Sequence, residues 1–189
     1  MSLMLLFGLS LVAVMVLAGW VIMTTGNRLA SLNARCETAF ADIDVHLKRR
    51  YDLIPGLTEC VRGFAAHEAR ILGEVVEARK ASLAIVPEAR AQVEATLGRR
   101  VGAVLSLAEK YPDMAASPHF RELRQELVAT EERITASRRF YNLAIGEYNA
   151  TLARFPGRFV AARRRLAERR PYDLGSERIV LDEPAAIRF

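Results

Sequence analysis

No charged side chain occurs in this 189-residue sequence before Arg28. An uncharged opening of that length excludes an ordinary amphipathic surface helix, which needs one polar face. Cysteine is scarce: Cys36 and Cys60 are the two in the chain, with no C-x-x-C pair. They are too few for a disulfide framework and are expected as reduced thiols packed like small apolar groups. Histidine is limited to His46, His67 and His119. His67-Glu68 opens a zinc-protease-like word, but the second histidine expected four residues on is Ile71, and His46 and His119 have no helical partner. Asp42 and Asp44 point about 200° apart on a helix, so with Asp52 they make no common ligand face. No glycine-rich phosphate loop and no nucleophile elbow is present, so no catalytic residue, no metal and no cofactor is predicted.

What stands at the N-terminus is a membrane-length segment. Leu3 to Met23 carries no charge over about 21 residues, which as a helix span about 31 Å, close to the hydrocarbon thickness of a bilayer. Its first half offers Leu3, Leu5, Leu6, Phe7, Leu9 and Leu11 to lipid. Its second half offers Val12, Val14, Val16, Leu17, Val21 and Ile22, with Trp20 placed to keep its indole N–H at the headgroups. A cleaved secretory signal is the main competitor. It is disfavoured because the run is longer than an h-region of about 7 to 15 residues, has no basic residue before it and has no small-x-small site after Trp20. Basic residues accumulate on the other side, at Arg28, Arg35, Lys48, Arg49 and Arg50, so the positive-inside rule predicts a single-pass protein with its N-terminus outside and its body in the cytoplasm.

That body is nearly free of strand signals and rich in Ala, Leu, Arg and Glu, which predicts helix almost throughout. Leu29, Leu32, Cys36, Phe40, Ile43 and Leu47 recur at three and four, with Asp44 and Lys48 as an i,i+4 pair. A second stripe runs Leu53, Leu57, Val61, Phe64, Ile71, Val75, started or kinked by Pro55. Val86-Pro87-Glu88 marks a turn into a third stripe of Val93, Leu97, Val101, Val104 and Ala108, which Tyr111-Pro112 ends. Ser117-Pro118 caps a long fourth helix whose Phe120, Leu123, Leu127, Ile134, Tyr141, Ile145, Tyr148 and Leu152 stay in phase until Phe155-Pro156-Gly157. Gly63, Gly73, Gly98 and Gly102 are expected to allow close helix approach. The predicted class is all-α: a transmembrane helix (1–26), an elongated antiparallel four-helix bundle (27–156), a basic helical segment (157–170) and an extended or disordered tail (171–189).

At the level of motifs the run from Ala41 through Asp42, Asp44, Lys48, Arg49, Arg50 and Asp52 to Pro55 resembles the signature of the LemA family of single-pass bacterial membrane proteins. Later segments match in order: Val61 to Glu68, Glu109 to Asp113 with Tyr111-Pro112, and Thr130-Glu131 through Arg138 to Tyr141-Asn142 and Tyr148-Asn149. The resemblance covers about residues 20 to 156. It implies an anchor in the bacterial inner membrane, a helical bundle and no known reaction, and it points toward membrane organisation or partner binding. After Pro156 the chain departs from the common pattern, where members often continue with an apolar, Phe-rich stretch.

Lys48, Arg49 and Arg50 next to Asp52 are expected to lock a helix junction at Pro55. Asn142 and Asn149, seven apart, share one helix side and are expected either to set register or to bond neighbouring backbone. Seven arginines fall between Arg154 and Arg170 against Glu168 as the single acid. Arg158, Arg163, Arg164, Arg165, Arg169 and Arg170 are candidates for contact with anionic lipid or a partner; the alternatives are a solvated helix end and nucleic acid, and no nucleic-acid partner is expected. Disorder is the default expectation for the tail; the alternative is an extended peptide in which Arg178-Ile179-Val180-Leu181 and the terminal Phe189 dock on a partner or a neighbouring subunit. The expected function is a non-enzymatic membrane scaffold that forms homo-oligomers and organises membrane lipid or recruits a membrane protein; the alternative is an accessory subunit of a membrane-bound protease. The apolar segment carries a first prediction. The intact polypeptide should stay with vesicles through alkaline carbonate washing, and its release into the supernatant would refute the anchor.

Overall fold

Helix is the only regular structure among the described residues, 2–83 and 90–172 of a computed structural model. The expected turn at Val86-Pro87-Glu88 and the tail features Arg178 to Leu181 and Phe189 lie outside the described residues. In chain order the elements are α1 (Ser2–Phe64), a 3-10 turn (Ala66–Glu68), α2 (Ala69–Leu83), α3 (Arg90–Ser106), a second 3-10 turn (Leu107–Glu109), α4 (Pro112–Ala116), α5 (Pro118–Ala153) and α6 (Gly157–Arg164).

The apolar opening is the first part of α1, a helix of 63 residues that is long and apolar enough to cross a membrane. Leu3 and Leu5 belong to it by backbone. Leu9, Val16 and Trp20 are 69%, 67% and 63% exposed, so this stretch buries nothing within the protein. No break separates it from the rest of α1. The helix continues through residue 26, where a domain boundary was expected, because the sequence from Thr24 to Asn33 contains no proline to interrupt it.

The described residues form two compact units, one of residues 2–41 with 138–171 and one of 42–137 with Tyr172. In the first, α1 buries Leu29, Cys36 and Ala39, α5 buries Tyr141, Ala144, Ile145 and Tyr148, and α6 buries Val160 and Ala161. Phe40 and Tyr141 meet as tilted rings 5.4 Å apart, a geometry that suits their quadrupoles. Burial pushes the Cys36 thiol and the Tyr141 and Tyr148 phenols up from their ordinary pKa values.

In the second unit the buried stripe of α1 runs Ile43, Leu47, Tyr51, Ile54, Leu57, Val61, and that of α5 runs Phe120, Leu123, Leu127, Thr130, Ile134. α2 contributes Leu72 and Val75 and packs against α3, which contributes Leu97, Val101 and Val104; Met114 of α4 is fully buried. Two expectations fail here. Phe64 is 44% exposed because the helix ends beside it, at Ala65 with φ −130° and ψ 54°. The α3 stripe begins at Glu94, wholly buried, rather than at Val93.

Pro55 neither starts nor ends a helix; it lies inside α1. A mid-helix proline removes the N–H that should reach the carbonyl four residues back, here that of Tyr51. Arg79 of α2 replaces it, its Nε–H donating to the Tyr51 carbonyl at 2.8 Å. The orphaned acceptor is satisfied, so α1 runs on past the proline to Phe64.

Among the glycines expected to bring helices together, Gly63, Gly73 and Gly102 have nothing within 4 Å of an added Cβ; only Gly98 has a close neighbour, the guanidinium of Arg50. The glycine that the chain requires is Gly157. A Cβ there would fall 2.0 Å from the Thr151 carbonyl oxygen, where the chain leaves α5 and turns directly into α6. α6 is shorter than the helical segment expected over 157–170. Arg165 adopts φ 54°, and Leu166 N–H donates to the Ala161 carbonyl at 3.0 Å, which closes the helix in a Schellman-type end.

The Pro55 arrangement yields a second prediction. Arg79→Ala should destabilise the wild-type protein by about 1–3 kcal/mol by stranding the Tyr51 carbonyl. In a Pro55→Ala background, where residue 55 regains an N–H, the same change should cost much less. Chemical denaturation of the four proteins measures the coupling; equal costs in both backgrounds would refute it.

Candidate functional site: a buried ion network and a C-terminal clasp

The centre of the second unit is ionic. Arg50 is 1% exposed and Glu94 is 0% exposed. Their charges are joined directly, one terminal nitrogen of Arg50 donating to the Glu94 carboxylate and, at 3.3 Å, to the Glu94 carbonyl. Arg50's other terminal nitrogen donates to both carboxylate oxygens of Glu131, at 2.8 and 3.1 Å. The Tyr51 hydroxyl donates to the second Glu94 oxygen. Burial first, then this hydrogen bond and the Glu94 charge, push the Tyr51 phenol far up, so it stays a neutral donor.

Local sequence places each group. Arg50 falls on the buried stripe of α1 between Leu47 and Ile54, so its side chain must enter the interior. Glu94 occupies the matching position on α3, one turn before Leu97. Gly98 follows four residues later, with an Arg50 terminal nitrogen 3.5 Å from where its Cβ would be, so this face of α3 lies at van der Waals distance from the guanidinium. A buried guanidinium facing two carboxylates has its charge met and most of its donors used. Such a network is a structural lock, since the carboxylate oxygens of Glu94 and Glu131 that approach Arg50 are committed to it.

Around this centre lie exposed or half-exposed pairs. Arg90 meets Asp44 at 2.8 Å, Arg49 meets Glu126 at 3.0 Å, and Lys48 meets Asp52 at 2.8 Å along α1. The expected Asp44–Lys48 pair is replaced by these, and the expected junction lock is corrected: Lys48, Arg49, Arg50 and Asp52 sit mid-helix, and only Arg50 points inward. Asp42 is exposed. Farther along, Glu68 accepts from Lys110 at 2.6 Å and from the Tyr111 hydroxyl at 3.0 Å, which hold its carboxyl below the ordinary range. Because that pKa is lowered on folding, the contribution is present above the unfolded value and fades as pH falls through the folded one. Tyr111 thus ties the turn after α1 to the end of α3, and Pro112 begins α4 at its first position.

The model for the LemA family matches residues 39–189. The chain belongs to the LemA family. No curated protein matches it. Of the residues expected from the sequence motifs, Arg50 and Glu131 are brought together from positions 81 apart in the chain. Glu94, Tyr51 and Arg79 complete their surroundings and were missed by sequence reading. A glutamate in the phase of Leu97, Val101 and Val104 is the one signal that could have found Glu94.

The match extends past Pro156 to residue 189. Asn149 clasps the backbone of Arg169 from both sides, donating to its carbonyl at 2.8 Å and accepting from its N–H at 3.0 Å. Tyr148 donates to the Ala167 carbonyl at 3.2 Å. The Arg169 guanidinium reaches Asn33 at 2.8 and 3.0 Å and Glu37 at 2.9 Å on α1. Asn149 therefore bonds neighbouring backbone, and Asn142 is half-buried. Arg138 lies in the buried stripe of α5 at 8% exposure.

The network supplies a third prediction. Glu94→Gln should destabilise the detergent-solubilised protein by about 3–5 kcal/mol, because Arg50 keeps its charge in the interior with only the edge carboxylate of Glu131 left. Its thermal midpoint should fall on the order of 10 °C. Arg50→Met combined with Glu94→Gln should recover much of that loss; a double variant as unstable as the sum of its singles would refute the reading.

Proposed function

We propose that this LemA-family chain is a non-enzymatic membrane scaffold: a bundle of helices held on a single-pass anchor that self-associates and gathers membrane-protein partners around it. The observation that carries this reading is the continuity of α1, which passes without a break from an exposed lipid-compatible stretch into the buried stripes of both units. A continuous helix of this kind ties the body directly to the anchor. The second supporting feature is the character of the polar centre, whose buried ionisable groups are paired with one another instead of being held ready for a substrate.

The four stripes of α1, α2, α3 and the first half of α5 favour an antiparallel bundle in the second unit, since each needs a partner to cover it. The concentration of basic residues after the span favours a body on the cytoplasmic side of the bacterial inner membrane. Exposed apolar side chains on the helical surface, Val45 at 62% and Leu143 at 60%, offer places for other chains to rest.

Photo-activatable residues placed at Val45 and at Leu143 in native membranes test the proposal. The expected products are an adduct of twice the chain mass and adducts to other membrane proteins. Recovery of a membrane protease as the dominant partner would recast the protein as an accessory subunit, and absence of any protein adduct at either position would overturn the scaffold.

A further inference from the structure

Several features of the first unit converge on the end of the apolar run. Arg164 of α6 places its guanidinium over the backbone of Gly26, donating to that carbonyl at 3.4 Å, and a Cβ on Gly26 would meet the guanidinium at 2.9 Å. Arg169 reaches Asn33 and Glu37 farther along the same helix. These contacts lay α6 and the residues after it alongside α1 just beyond the anchor. The apolar run ends at Met23, and Gly26 lies three residues past it, about 4.5 Å along the helix. A headgroup layer is about 5–8 Å deep, so an anchor seated with Met23 at the hydrocarbon edge puts the contact of α6 with Gly26 inside that layer.

α6 is two-faced at that level. Gly157, Val160 and Ala161 are buried, whereas Arg158, Phe159, Ala162 and Arg163 are exposed. Phe155, in the corner before it, is 88% exposed, and Phe159 is 54% exposed. Water is a poor environment for two bare phenyl rings, and a bilayer interface is a good one. The charges agree. Of the seven arginines between 154 and 170, Arg164 and Arg169 are engaged with α1, which corrects their expected availability to lipid, while Arg154, Arg158, Arg163, Arg165 and Arg170 are exposed with no acidic partner among the described residues.

We infer that the α5–α6 corner and α6 form an anionic-lipid site at the foot of the anchor, in which Phe155 and Phe159 enter the interface and Arg158 and Arg163 hold phospholipid phosphates. This rests on the anchored reading and adds a lipid preference to it. Arginine suits the task because its planar fork binds phosphate oxygens in pairs. Each such contact near an anionic surface favours the docked state about fivefold. The site would make the body sit against the bilayer instead of swinging freely on α1, and would draw acidic lipid to the scaffold.

Trp20 is the one tryptophan in the chain, which allows anchor and site to be read separately. The full-length protein is reconstituted into vesicles of phosphatidylcholine with and without phosphatidylglycerol, once as wild type and once as Trp20→Phe with Phe155→Trp, and quenched with neutral acrylamide. The expected result is Trp20 shielded in both lipids, and the indole introduced at position 155 blue-shifted and several-fold better shielded when phosphatidylglycerol is present. Arg158→Glu with Arg163→Glu should abolish that added shielding, and Arg158→Lys with Arg163→Lys should keep most of it at unchanged helicity. Equal quenching of the introduced indole in both lipids while Trp20 stays shielded overturns the lipid site and leaves the anchor standing. Trp20 open to acrylamide overturns the anchor, and the site with it.

Discussion

Arg50 cannot occupy the interior unless Glu94 is there with it. A guanidinium removed from water loses several kcal/mol of solvation, and that loss is offset only where a carboxylate and further acceptors meet it in good geometry. Arg50 comes from α1, Glu94 from α3 and Glu131 from α5, so three helices must be present together for any one of these charges to be tolerated. Tyr51 follows from the same requirement, by filling the remaining oxygen of Glu94. A hydrophobic centre of equal volume would pack these helices at least as tightly, but it would accept many rotations and shifts of one helix against another. The directional bonds of the ion network accept very few.

A comparable constraint governs α1. Its first part must suit lipid, its later parts must present stripes to two different sets of helices, and Pro55 interrupts its hydrogen bonding. The helix survives because Arg79 supplies a donor to the Tyr51 carbonyl from outside. Tyr51 therefore serves both arrangements, its hydroxyl bonding Glu94 and its carbonyl bonding Arg79.

The C-terminal region divides its arginines between two tasks. Arg164 and Arg169 are spent holding the chain against α1, with Asn149 and Tyr148 fixing the backbone between them. The remaining exposed arginines, with Phe155 and Phe159, are left facing outward. Sequence reading grouped all of these cations together, since composition reports the local charge and not its partners. It also extended the helix to residue 170, because nothing in Arg163-Arg164-Arg165-Leu166 marks the left-handed turn at Arg165.

The family came from ordered motifs that resemble LemA and from the family match, whereas period and composition alone determined that the protein is helical, that α1 opens with a membrane-length apolar run, and that Phe120 to Tyr148 lie along one face of a long helix. These are properties of residues three, four or seven apart, which any helix brings together. Tertiary structure decided the rest. The Arg50–Glu94 pair is separated by 44 residues, the Arg79–Tyr51 bond by 28 and the Asn149–Arg169 clasp by 20. Contacts of that range depend on which helix lies beside which, and a buried glutamate reads in the sequence like a solvated one until the arginine that neutralises it is in place.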